Sequence, residues 1–124
     1  MLIVFSSMTG NVRRFIEKLS VDNVVDISSK GGQVLVNEPF VLITYTIGNG
    51  ETPQDVKSFL DNNNHYLRGV IGSGNRNWGD NFCKGAINVA ERYKVPLLHT
   101  FELSGYESDV DIVTTKIEEQ REKG

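Results

Sequence analysis

The feature that most limits the fold is a repeated alternation. Short apolar runs rich in Val and Ile recur, each followed by a polar, glycine-containing loop and then by apolar residues at helical spacing. Strands that run parallel need long crossovers between them, so the alternation predicts a parallel sheet with helices on its faces. Leu2 to Phe5 is the first strand, Ser6 to Gly10 turns the chain, and Val12, Phe15, Ile16 and Leu19 share one helical face. Val24, Val25 and Ile27 form a short second strand, after which Gly31-Gly32 breaks the chain before Val34 to Val36, a piece that fits neither pattern. Phe40 to Thr44 is the third strand. Beyond the turn signal Asn49-Gly50, Thr52 is expected to cap, and Pro53 to open, a helix through Val56, Phe59 and Leu60 that ends in the polar run Asp61 to Asn64. Leu67 to Ile71 is the fourth strand, Gly72 to Asp80 a polar loop, and Phe82, Ala86, Val89, Ala90 and Tyr93 mark a third helix. Pro96 opens a fifth strand through Phe101 and Leu103, and Val110, Val113 and Ile117 make a last helix whose end, Glu118 to Lys123, is solvated.

Five such strands suit the order 2-1-3-4-5 or a Rossmann-type sheet, and both place ligands beyond the carboxyl ends of the strands. Chemistry is therefore expected in the loops after strands one, three and four. At 124 residues, 39% of them hydrophobic and 23% charged, the chain has the size and balance of one ordinary folded domain, residues 1–124. The net charge of -3, with Lys and Arg scattered, argues against nucleic acid as a partner. Met1 to Phe5 is apolar but gives way to Ser6-Ser7, too short a run for a signal peptide or a membrane span, so a cytoplasmic location without membrane association is expected. The single cysteine, Cys83, has no partner for an internal disulfide and reads as a small buried hydrophobe. His65 and His99 lack a second ligand at metal spacing, and no metal site is expected.

The first loop, Ser6-Ser7-Met8-Thr9-Gly10-Asn11, with Val12 behind it, joins a strand to a helix N-terminus. Unpaired amides and the helix dipole stabilise a phosphate at such a terminus without Lys or Arg. The alternative is that Thr9 or Asn11 merely caps the helix. Other anion sites fail by spelling: there is no G-x-G-x-x-G after the first strand, no Walker lysine, no acidic residues at Ser6-Ser7 as a receiver domain needs, and no cysteine in this loop as a low-molecular-weight phosphatase needs. The second loop runs from Thr44 through Tyr45, Thr46, Ile47, Gly48, Asn49 and Gly50 to Glu51, and the third contains Gly74, Asn75, Arg76, Asn77, Trp78, Gly79 and Asp80 before Phe82 and Cys83. Aromatic residues beside glycines suit a planar ring, which they stack on and approach closely. Trp78 lies among Asn, Gly and Asp rather than in an apolar pattern, which points it toward a ligand.

Ser6 to Asn11, Thr44 to Glu51 and Gly72 to Cys83 resemble, in order and spacing, the three FMN loops of flavodoxins, over nearly the whole chain. The string Gly72-Ser73-Gly74-Asn75-Arg76-Asn77-Trp78-Gly79 followed by Phe82-Cys83 is similar more narrowly to the NrdI family. Val12 stands where many flavodoxins carry a threonine, so one phosphate hydroxyl is missing. The resemblance implies an α/β, flavodoxin-like three-layer sandwich with a five-stranded parallel sheet of order 2-1-3-4-5, and FMN as cofactor. It also implies a role. Reduced NrdI proteins react with oxygen to give superoxide or a related oxidant for assembly of the dimanganese-tyrosyl radical cofactor of the class Ib ribonucleotide reductase small subunit. That subunit and an unidentified flavin reductant are the implied partners, and no side chain of the chain itself is catalytic, because the flavin carries the chemistry. A generic one-electron flavodoxin and a non-redox interaction module are the alternative roles for the same loops.

Carboxylates near a flavin disfavour its anionic reduced form. Glu51 and Asp80 are the only acids in the two ring loops, against Asn49, Asn75, Arg76 and Asn77, so a two-electron cycle is expected to be more accessible than in a strict one-electron carrier. Gly48, Gly50, Gly74 and Gly79 are expected to let the ring loops shift with redox state.

Overall fold

The computed structural model describes residues 1–123. Its strands are β1 (Leu2–Phe5), β2 (Val24–Asp26), β3 (Phe40–Thr44), β4 (Leu67–Gly74) and β5 (Leu97–Glu102), and its helices α1 (Asn11–Lys18), α2 (Gln54–Asn63), α3 (Lys84–Tyr93) and α4 (Glu107–Lys123). The strands form one sheet in the order β2-β1-β3-β4-β5, and every pairing is parallel. β1 is apolar throughout, and β3 apolar up to Thr44 at its end, because both of their faces are covered.

Side chains alternate across the sheet and so divide the core in two. Leu2, Val4, Phe40, Leu42 and Val70 meet Val56, Phe59 and Leu60 of α2 and Ala86, Val89 and Ala90 of α3. Ile3, Phe5, Val41, Ile43 and Ile71 meet Val12, Phe15 and Ile16 of α1 and Val113 and Ile117 of α4. Phe15 stacks on Phe101 with ring centroids 4.0 Å apart, and Phe59 meets Phe40 edge-on at 5.3 Å. Burial of each such ring contributes about 1.5–3 kcal/mol. The chain steps from β1 outward to β2, then back past β1 to β3, so the connections leave β1 and β3 in opposite directions and open a crevice at their carboxyl ends. Among the described residues no helix is long and apolar enough to cross a membrane.

Several boundaries differ from the sequence-based expectation. β4 runs on through Gly72, Ser73 and Gly74 instead of ending at Ile71. Gly72 is strand here because it lies under α3, where a Cβ would sit 2.7 Å from that of Ala86. Thr52 does not cap α2: its hydroxyl donates to the Gly85 carbonyl at 2.9 Å, and Pro53 takes the cap position with an extended ψ of 145°. α2 ends at Asn63, inside the expected polar run, and Asn64–Tyr66 continues as a 3₁₀ turn. Phe82 and Cys83 precede α3, since Cys83 adopts a left-handed φ of 54°. β5 stops at Glu102 because Leu103 turns left-handed, with φ 55°. Ile27 lies just past β2, buried.

The segment Val34 to Val36 follows a 3₁₀ turn, Gly31–Gln33, and packs half-buried against the α2 side of the core. Asn63, 1% exposed, holds it there. Its Oδ1 accepts the Val36 amide at 2.9 Å, and its Nδ2 donates to the carbonyls of Val34 at 2.9 Å and Phe59 at 2.8 Å.

Candidate functional site

The loop after β1 ends in a helix whose first amides are bare. Gly10 is the N-cap residue of α1, left-handed at φ 91°, and no side chain caps the helix, so Thr9 and Asn11 do not play that role. A Cβ on Gly10 would both strain this φ and lie 2.9 Å from Arg14 Nη1. The Ser7 hydroxyl accepts the Arg13 amide at 3.3 Å and the Gly10 carbonyl accepts that of Arg14 at 2.9 Å. The amides of Met8 through Val12 donate to no acceptor among the described residues. Aligned, unpaired N–H groups at a helix start form an anion site.

An open cavity of about 230 Å³ begins at that helix end. Ser7, Met8, Thr9, Asn11 and Val12 line it from the first loop, Tyr45 and Thr46 from the end of β3, Ser73, Gly74, Asn75 and Trp78 from the end of β4, and Leu103 from the end of β5. Among the described residues no charged side chain lines it. Trp78 is held by its own turn: the Asn75 side chain accepts the Asn77 amide at 2.9 Å, and the Asn75 carbonyl accepts that of Trp78 at 3.0 Å. Beside this turn the Arg76 guanidinium lies over the Phe82 ring, 4.6 Å from its centroid, and Glu102 accepts the Arg76 amide at 3.1 Å. Burial, then the negative charge of Asp55, raises the Tyr45 phenol above its ordinary pKa, so it enters the wall as a neutral hydroxyl. A larger cavity of about 360 Å³ lies between α2 and α3, bordered by Lys57, Asp61 and Arg92. It lacks the run of unpaired amides before α1 and the tryptophan, and charged side chains border it, so the chemistry assigns the site to the smaller one.

The NrdI flavodoxin-like family model matches residues 3–115. The chain belongs to the NrdI family. Members of that family and flavodoxins bind FMN. The structure of a short-chain flavodoxin associated with a non-canonical PDU bacterial microcompartment is 22% identical, with 99% of each chain covered and a TM-score of 0.71. A WrbA-like flavodoxin from Agrobacterium tumefaciens is 12% identical, with 99% of this chain and 98% of that one covered and a TM-score of 0.65. A cysteine-to-alanine mutant of flavodoxin from Pseudomonas aeruginosa is 20% identical, with 99% of each chain covered and a TM-score of 0.58. At these identities the likeness is one of fold.

Within this NrdI-family framework the expected residues separate into two groups. Ser7, Met8, Thr9, Asn11, Val12, Tyr45, Thr46, Gly74, Asn75 and Trp78 meet in the cavity. Ser6 and Thr44 are buried behind it, their hydroxyls donating to Asp55 and to the Tyr45 carbonyl. Gly48, Asn49 and Gly50 form a turn beside it, closed by reciprocal backbone bonds between Ile47 and Glu51 at 2.8 and 2.9 Å. Gly79 kinks the 3₁₀ turn beyond Trp78, and Phe82 supports Arg76. Cys83 is fully buried, and burial pushes its thiol up to about 12. Ser73 and Leu103 also line the cavity, Leu103 from the loop after the fifth strand, outside the three loops expected to carry chemistry. The same rule of strand carboxyl ends that selected the other three loops covers this fourth one. Glu102 is a further acid near the ring loops, contributed by β5 rather than by the loops themselves.

Proposed function

We propose that this chain binds one FMN in the cavity at the carboxyl ends of β1, β3 and β4, and that the reduced protein delivers superoxide or a related oxidant to the small subunit of a class Ib ribonucleotide reductase, where a dimanganese-tyrosyl radical cofactor is assembled. The observation that carries the reading is the pairing in one cavity of a bare helix N-terminus with a partly exposed tryptophan, in a chain of the NrdI family. The fit is one of opposite ends. The amides of Met8 through Val12 suit the phosphate ester, and Trp78, Tyr45, Met8 and Leu103 offer an apolar enclosure for the ring.

FMN, when bound and reduced, supplies the electrons that molecular oxygen accepts. The chain's own residues bind, orient and present it. A lining without charged side chains leaves the phosphate to backbone dipoles and to the neutral polar groups of Ser7, Thr9 and Asn11, and Arg76, partnered by Glu102 and Phe82, stands beside the ring turn. Around the cavity mouth Met8 is 67% exposed, Trp78 43% and Leu103 45%, with Tyr106 at 70% on the following turn. An exposed apolar rim of this kind suits a partner that closes over the site and keeps the oxidant from bulk water.

The test is to reduce the FMN-loaded protein without oxygen, mix it with a manganese-loaded class Ib small subunit, admit oxygen and record tyrosyl radical by electron paramagnetic resonance. Radical that depends on this protein is the expected result. Absence of radical, together with efficient one-electron reduction of an acceptor protein, would make the chain a plain flavodoxin instead.

A further inference from the structure

Behind the cavity, the two serines that begin the first loop are tied down from both sides. Ser6 is fully buried and its hydroxyl donates to Asp55 Oδ2 at 2.7 Å. The same oxygen accepts the Ser29 amide at 3.0 Å, while Asp55 Oδ1 is buried with no partner among the described residues. Asp55 stands in the first turn of α2, where the helix dipole favours a carboxylate. One side chain thus fastens the loop after β1 and the loop after β2 to the start of α2. On the other side the Ser7 amide donates to Ser28 Oγ at 2.9 Å, and the Ser28 amide donates to Asp26 Oδ1 at 2.9 Å. The Ser6 amide donates to the Ile43 carbonyl at 3.2 Å. The amides of Ser6 and Ser7 are therefore spent on the protein, and the next amides in the chain are the ones left free.

We propose that Asp55 is a positioning residue for the phosphate end of the site: by fixing Ser6 and Ser29 as a hydrogen-bond acceptor, it sets the loop so that the Met8 to Val12 amides converge before any ligand arrives. The inference rests on the FMN reading above. Binding to a loop already in its bound shape avoids the ordering cost that a loose loop pays at the moment of association. The acceptor is what serves the site, while the charge itself works against it, because a second anion near a phosphate is repulsive. An asparagine at 55 retains an oxygen that accepts both bonds; an alanine retains none. Of the ring-end residues, Trp78 and Leu103 come from the ends of β4 and β5 while Tyr45 lies beside Asp55 and Ser6, so the larger effect belongs to the phosphate.

Flavin-free wild type, Asp55→Ala, Asp55→Asn and Ser6→Ala are titrated with FMN and with riboflavin, which lacks the phosphate. Asp55→Ala is expected to weaken FMN about tenfold while riboflavin affinity stays within about twofold, and Asp55→Asn to stay within about threefold of wild type for FMN. Ser6→Ala removes the same 2.7 Å bond from the other side with less disturbance of α2 and is expected to give an FMN-selective loss as well. In the double variant the two losses are not additive. Equal loss of both flavins, no loss in either single variant, or an Asp55→Asn that falls as far as Asp55→Ala would each overturn the inference. If Asp55→Ala does not fold, Ser6→Ala with unchanged FMN affinity overturns it. Wild type that binds FMN while these patterns fail leaves the FMN reading standing; wild type that takes up neither flavin removes both.

Discussion

The Ser73 hydroxyl donates a 2.6 Å hydrogen bond to the carbonyl of Leu103, and the Leu103 amide donates to the Gly74 carbonyl at 2.9 Å. These two bonds fix Leu103 in a left-handed conformation, φ 55°, that a leucine adopts only when its surroundings impose it. Its side chain is thereby set against the cavity at the ring end.

Leu103→Ala is accordingly expected to weaken FMN and riboflavin to the same degree, about three- to tenfold, because it removes part of an apolar wall and leaves the phosphate contacts alone. Parallel fluorescence titrations with the two flavins check this. A loss confined to FMN would place Leu103 at the wrong end of the site.

Cys83 is buried behind Gly74, and burial pushes its thiol up to about 12 despite the opposing influence of Arg76. Thiolate is the reactive form, so the native protein should resist a disulfide reagent at about pH 8 and release its single thiol only on unfolding. Rapid modification of the folded protein would contradict the placement.

Buried Asn63 joins the Val34–Val36 segment to α2 through two hydrogen bonds and makes a third to the Phe59 carbonyl within α2. Asn63→Ala leaves one amide and two carbonyls without that partner and is expected to cost about 2–3 kcal/mol in urea unfolding. A change below about 0.5 kcal/mol, the range of neutral surface substitutions, would show that water or a local shift replaces the bonds.

Two carboxylates give the protein an acid limit. Burial alone raises Asp26 and Asp109, but hydrogen bonds from Ser28 and Arg13 to Asp26, and from His99 and the Tyr106 amide to Asp109, outweigh it and hold both below the ordinary carboxylate value. A pKa lower in the folded chain means stability that is fully present above the unfolded value, about 4, and lost as pH falls through the folded one. Thermal midpoints measured from about pH 7 down to about pH 2 should fall in this acid window, and less steeply in Asp109→Asn. Equal slopes in the two proteins would show that Asp109 contributes nothing there.

The sheet was legible because Leu2 to Phe5 and Phe40 to Ile43 are continuous apolar runs and because Val12, Phe15, Ile16 and Leu19 repeat at a spacing only a helix uses. That Trp78 lies outside the core was legible from its polar neighbours alone, and it lines the cavity. The extension of β4 through Gly74 was not, since glycines read locally as loop while their reason for being there, the close approach of α3, is a tertiary contact. Thr52 looked like a cap for the same kind of reason: its actual partner, Gly85, is 33 residues away. Asp55 carries no local signal at all, because what it holds is Ser6, on a loop that only folding brings near.

The central claim is that one cavity takes a phosphate ester on the bare start of α1 and a flavin ring against Trp78. It is tested most directly by titrating the flavin-free protein with FMN while recording the visible spectrum and flavin fluorescence. One FMN per chain, with its fluorescence quenched by the adjacent indole and its affinity above that of riboflavin, is the predicted result. A protein that stays colourless and leaves the fluorescence unchanged would contradict the account.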